Sequence, residues 1–152
     1  MKILIATDGS EFGEVAVEKI CEMLGDAKNF EIRIVSAYQH PLMTAAAPYP
    51  IPVGYDPNVE KEMSDGAERT VEQAAQKIEN HFSGLKENLT TTVLIGSPER
   101  EIVEEAEKWG ADLIVVGSHG YGFWERMFLG SVSNAVVHHA PCSVLVVRQS
   151  KK

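Results

Sequence analysis

Three features of this 152-residue chain predict a doubly wound α/β domain built on a parallel sheet. Five short apolar runs alternate with helical periodicities from one end to the other. The runs Ile3-Leu4-Ile5-Ala6, Leu113–Val116 and Val144–Val147 are apolar on both faces, as strands are when helices cover both sides of a sheet. No internal repeat, low-complexity tract or linker interrupts the pattern, and the length suits one domain with a real core. Strand–helix alternation of this kind closes with right-handed crossovers.

The elements follow in order. Strands are predicted at Lys2–Thr7, Phe30–Tyr38, Leu89–Ile95, Asp112–Gly117 and Cys142–Arg148. Ser10 is placed to cap a first helix that runs to about Leu24 and stops at Gly25. A long second helix carries Val59, Met63, Ala67, Val71, Ala74, Ala75, Ile78 and Phe82 at three-to-four spacing, a single apolar stripe. Ser97-Pro98 reads as a cap followed by proline in the first turn, and Gly110 closes that third helix. A fourth helix opens near Gly130-Ser131 and ends before Pro141. Between the second strand and the second helix, His40 to Pro57 holds five of the seven prolines, with Tyr49 and Tyr55. Prolines at that density forbid helix and central strand, and a loop this long is either functional or a plain surface excursion.

Charge narrows the partners. Fourteen Lys and Arg stand against 22 Asp and Glu, a net charge of −8, with no basic run. Nucleic acid and anionic membrane both attract basic surfaces, so neither is an expected partner. No apolar stretch approaches the ~20 residues of a membrane span, and the opening apolar run is too short for a signal-peptide core, which points to the cytoplasm. Cys21 and Cys142 lie far apart without metal or redox spacing, and buried inert thiols are the expectation.

The chemistry concentrates at two bends. The fourth apolar run ends in Gly117-Ser118-His119-Gly120, and Gly130-Ser131-Val132-Ser133 then opens a helix. Glycines let main chain approach a phosphate where a Cβ would collide, and free amides at a helix start attract anions. The physical reading is a phosphate cradle. Asp8, at the tip of the first strand, faces the glycine loop if those two strands are neighbours. There it either accepts from ribose hydroxyls and helps hold Mg²⁺, or is a turn residue capping a helix. Ser131 and Ser133 are phosphate donors, helix caps or both. His119 either touches phosphate or is solvated, and Arg126, between the two glycine pairs, is either a source of positive charge or, the favoured reading, a plain surface arginine. His138-His139, at a helix end, fits the helix dipole without a metal.

Other signatures fail. No G-x-x-x-x-G-K-[ST] occurs, and Gly120-Tyr121-Gly122 lacks the third glycine of a dinucleotide fingerprint. No nucleophile elbow or carboxylate pair stands out, so no catalytic residue is assigned.

Taken together, Thr7-Asp8-Gly9-Ser10, the long insert, Gly96-Ser97-Pro98, Ala111–Gly117 and Ala140–Val147 resemble the universal stress protein family. The spacing G-x-x-G-x(nine)-G-[ST], filled by Gly117, Gly120, Gly130 and Ser131, marks the ATP-binding members of that family. The resemblance implies a five-stranded parallel sheet of order 3-2-1-4-5, like that of adenine nucleotide alpha-hydrolases. It places ATP or another adenine nucleotide, with Mg²⁺ or Mn²⁺ brought by the triphosphate, between strands one and four. Carried over by position, Thr7 and Asp8 meet ribose and adenine, and the backbone near Ala37 reads the adenine edge. Gly117, His119, Gly120, Gly130, Ser131, Val132 and Ser133 surround ribose and phosphates, and Val116 is a further candidate for nucleotide contact. Family members often have proline where Ala6 stands, in a corner of the adenine pocket. The resemblance also implies a homodimer through the last strand, Cys142–Arg148. Its apolar run at a sheet edge would need such a cover.

Three functions are thereby set against one another. The leading one is a nucleotide-responsive dimeric stress-response module. The others are a slow ATPase or self-phosphorylating enzyme, and a nucleotide-free interaction protein of the same fold.

Overall fold

The computed structural model describes residues 1–25, 29–39, 57–82, 84–118 and 129–148. Its elements in chain order are β1 (Lys2–Ala6), α1 (Glu11–Leu24), β2 (Glu31–Tyr38) and α2 (Pro57–His81), then a short 3₁₀ turn, β3 (Leu89–Ile95), α3 (Pro98–Trp109), β4 (Leu113–Gly117), α4 (Ser131–His139) and β5 (Ser143–Val147). The strands form one sheet of order β3-β2-β1-β4-β5, and every neighbouring pair is parallel. The predicted architecture and strand order are both present.

Alternation of side chains along each strand divides the core into two layers. On one face Ile3, Ile5, Ile32, Ile34, Val115 and Val147 pack against Val17 and Ile20 of α1 and Val71, Ala74 and Ile78 of α2. On the other face Leu4, Ala6, Val35, Ile114 and Val116 pack against Ile102 and Ala106 of α3 and Val136 of α4. Ile3, Leu4 and Ile5 are all 0% exposed, which explains why β1 could be apolar without alternation.

The helix ends obey local chemistry. Ser10 Oγ accepts from Gly13 N–H at 3.3 Å, the expected cap of α1, and Gly25 ends that helix. Gly110 ends α3 in the left-handed region at φ 71°. Pro57, expected at the end of the loop, instead opens α2, where a missing N–H costs nothing. Ser97 departs from expectation in detail: its carbonyl takes the amides of Arg100 and Glu101, while its hydroxyl donates to Glu99 and caps no amide.

The opposite end of the sheet is tied by charge. Arg33 donates to the buried Glu105 carboxylate and stacks over Trp109 at 4.5 Å, and Lys2 Nζ donates to the Trp109 carbonyl. Lys2 and Asp112 also exchange hydrogen bonds, fixing the start of β1 beside that of β4. Among the described residues no helix is long and apolar enough to cross a membrane. The proline-rich segment from His40 onward, up to residue 56, lies outside the described residues.

Candidate functional site

The carboxyl ends of β1 and β4 lie side by side, with Ala6 paired to Val116. Chain order reverses here, since β2 and β3 extend the sheet on one side of β1 while β4 and β5 extend it on the other. Connections that leave neighbouring strands toward opposite faces open a crevice. A cavity of about 330 Å³ occupies it.

Six elements line that cavity. β1 and its turn supply Ala6, Thr7 and Asp8, α1 supplies Gly13, and β2 supplies Val35 and Ala37. Pro98 and Ile102 come from α3, Val116 and Gly117 from β4, and Gly130, Ser131, Val132 and Ser133 from the start of α4. Ten of these were expected from the sequence, and the structure brings all ten to one place. His119 and Gly120, also expected, lie outside the described residues, as does Arg126. Gly13, Val35, Pro98 and Ile102 are additions that the sequence did not single out as site residues.

The lining has two characters. Val35, Ala37, Pro98, Ile102 and Val116 make an apolar slot between β2, β4 and α3. Thr7, Asp8 and the α4 start make a polar end. Asp8 is the one charged side chain among the described lining residues. Its Oδ1 accepts from Ser10 N–H at 3.0 Å and from Ser10 Oγ–H at 2.6 Å. Because Ser10 Oγ in turn accepts from Gly13, one chain of hydrogen bonds caps α1 and orients the carboxylate at the cavity. The turn reading of Asp8 is met, and the same side chain lines the cavity.

Two glycines set how tightly the walls close. A Cβ on Gly117 would stand 2.7 Å from the Phe12 carbonyl oxygen, so β4 ends directly against the first turn of α1. A Cβ on Gly13 would collide with Thr7 Oγ1 and approach Asp8 Oδ1 to 3.2 Å. Each is required for close approach.

The two bends meet at Ser118. Its N–H donates to Val147 O at 2.8 Å, and its carbonyl accepts from Gly130 N–H at 2.8 Å and from the Ser133 hydroxyl at 3.1 Å. Gly130 then serves as the N-cap of α4 without a side chain to offer. Among the described residues no side chain caps α4, and its first ladder bond is Asn134 N–H to Gly130 O at 2.9 Å. The amides of Ser131, Val132 and Ser133 precede that bond and lack ladder partners by geometry. They carry about half a positive charge at the rim of the cavity. Ser131 is exposed at that rim, whereas Ser133 is buried with its hydroxyl turned onto main chain.

Among the described residues no three His, Cys, Asp or Glu side chains stand close enough together to hold a metal ion. His138 is exposed at the end of α4, its Nδ1 2.8 Å from Asn134 O. Both cysteines are free thiols. Burial, and then the Glu18 carboxylate, push the Cys21 thiol up. Burial and Asp112 raise Cys142, against a smaller lowering by a hydrogen bond from the Ile114 backbone.

Comparison with known proteins agrees with this architecture. The sequence model of the universal stress protein family matches residues 1–148. A universal stress protein of Methanocaldococcus jannaschii is 35% identical over 152 residues, covering 99% of this chain and 84% of the relative. A universal stress protein solved in complex with cAMP superposes with a TM-score of 0.69 at 22% identity, covering 99% of this chain and 98% of the other. A family member from Arabidopsis thaliana, solved with AMP bound, superposes with a TM-score of 0.66 at 19% identity, covering 99% and 92%. On the evidence of strand order, crevice and sequence together, the chain belongs to the universal stress protein family.

Proposed function

We propose that this protein binds an adenine nucleotide, ATP by preference, in the crevice between β1 and β4, and that nucleotide state governs its self-association or choice of partner. One observation carries the reading. Uncapped amides of α4 and the oriented carboxylate of Asp8 line the polar end of a cavity whose other end is an apolar slot. A nucleotide has the same polarity: a flat base for the slot, ribose hydroxyls for Asp8, and phosphates for the amides of Ser131, Val132 and Ser133. The backbone near Ala37 is the candidate reader of the adenine edge. The spacing of Gly117, Gly120, Gly130 and Ser131 supports a triphosphate, and the bound AMP and cAMP of two structural relatives support adenine.

The residues present fit a metal only as a passenger. Among the described lining residues Asp8 is the single carboxylate and its Oδ1 is engaged, so Mg²⁺ or Mn²⁺ would arrive on the phosphates and supply charge neutralisation. The setting proposed is the cytoplasm. Self-association is proposed through β5 within Cys142–Arg148, which the sheet order leaves as an edge strand.

The test is a thermal unfolding series. Ligand at 100 times its Kd stabilises by about 2.7 kcal/mol, so millimolar Mg-ATP should raise the Tm well above that with GTP or buffer. Coincident Tm values in all three would overturn the reading.

A further inference from the structure

The Ser133 hydroxyl has one proton and two carbonyls in reach. It stands 3.0 Å from Gly130 O and 3.1 Å from Ser118 O. The first contact is the local back-bond that serines make within a helix turn, common and weakly informative. The second reaches across 15 positions of sequence to the residue that follows β4. There it meets a carbonyl that already accepts from Gly130 N–H, and with the proton directed to it both lone pairs of Ser118 O are used. Ser118 is 2% exposed and Ser133 is 3% exposed, so water is a poor substitute for either partner.

We propose that Ser133 is a positioning residue of the cradle: its hydroxyl ties the α4 start to the end of β4 and is not itself a phosphate ligand. Offering that proton to a phosphate would strip a buried carbonyl of one donor. The phosphate is met instead by the main-chain amides that the tie holds in place. Two ends of chain twelve positions apart, Ser118 and Gly130, are thereby closed on one another whatever path joins them. This inference rests on the nucleotide reading for its consequence, though the tie itself does not.

The test uses the full chain as wild type, Ser133→Ala and Ser133→Thr. ATP and adenosine affinities are measured by calorimetry, and amide exchange of Gly130 is followed by NMR without ligand. Alanine should weaken ATP about tenfold, leave adenosine within about twofold, and speed Gly130 exchange about tenfold. The Ile114 amide in mid-β4 should keep its rate, and threonine, which keeps a hydroxyl, should restore all of these. Ser133→Cys, of similar volume but a weak donor, gives the same split if the alanine variant does not fold. Weakened ATP binding with unchanged Gly130 exchange would make the hydroxyl a phosphate ligand and overturn the proposal. Unchanged values of both would overturn it too. If wild type binds neither ligand, the nucleotide reading fails on its own and the exchange rates still decide whether the tie exists.

Discussion

The backbone of Phe12 in the first turn of α1 stands where a side chain on Gly117 would have to go, with its carbonyl carbon 2.8 Å from that Cβ position. Backbone cannot rotate aside as a side-chain tip can, so Gly117→Ala must push α1 away from the end of β4. The expected loss is about 1–3 kcal/mol of stability, with weakened nucleotide binding in proportion to the widened crevice. Gly13→Ala tests the same wall from the other side. Alanine gains about 1 kcal/mol in a helix interior, but here its methyl meets Thr7 and Asp8, so the net effect should be destabilising. Gly66→Ala is the contrast. In α2 the nearest atom to its Cβ is Arg69 Nη2 at 3.8 Å, so this variant should gain about 0.5–1 kcal/mol. Urea midpoints of the three variants check the ordering, and a stabilised Gly13→Ala would refute the close approach.

Asp8 separates geometry from charge. Asp8→Asn keeps an acceptor for Ser10 and should leave the Tm within about a degree, whereas Asp8→Ala removes it and should cost about 1 kcal/mol. If the carboxylate serves ribose, the asparagine variant should bind ATP and adenosine alike about tenfold more weakly. If it merely repels the polyphosphate, losing the charge should tighten ATP and leave adenosine unchanged. Calorimetric titration of both ligands distinguishes the two, and the second pattern would remove Asp8 from the ribose.

The buried thiol of Cys21 predicts a pH dependence. Burial, then the Glu18 carboxylate, raise it above the unfolded thiol, so the folded chain holds its proton longer. A raised folded value contributes stability that is full below the unfolded thiol's range and is lost as pH rises through the folded one. As pH rises above the unfolded thiol's range, about 8.5, the wild type should therefore lose more stability than Cys21→Ala. Matching urea-midpoint slopes for the two proteins would show that the thiol titrates normally.

The proposed dimer is tested at β5. Val147 O accepts from Ser118 N–H, so Val147 faces β4, and Val144 and Val146 turn their N–H groups to the open side. Val146→Pro deletes one of those outward donors without touching the β4 ladder. Sedimentation should then show a folded monomer where the wild type is a dimer. A dimer that survives with unchanged affinity would move the interface elsewhere.

Much of this was legible in sequence for identifiable reasons. β1 and β4 are apolar on both faces because both faces are covered, β5 at the margin is half-buried, and each strand boundary fell within one residue of its expected place. Of the ten expected residues that line the cavity, Asp8, Gly117, Gly130, Ser131 and Ser133 were readable from local signals (glycines, a strand-tip aspartate and a helix start). Ala6, Thr7, Ala37, Val116 and Val132 came only with the family resemblance. Gly13 was not readable, since a glycine in the first turn of a helix gives no sign that Thr7 and Asp8 press against it. Val35, Pro98 and Ile102 were hidden because a slot wall and a core side chain have the same composition. The role of Ser133 was ambiguous for a similar reason: nothing local shows that Ser118 lies within reach of its hydroxyl.

The two margins of the sheet are unlike. β3 offers Thr90, Thr91 and Thr92, while β5 offers Val144, Leu145 and Val146. A copy that joined β5 to a neighbour's β3 would leave a fresh margin at every step and grow into a fibre. A copy that joined β5 to β5 about a twofold axis would consume the greasy margin of both molecules and leave the threonine-bearing β3 as the outer margin. If copies join through β5 as proposed, valines on that border would cap growth at a pair.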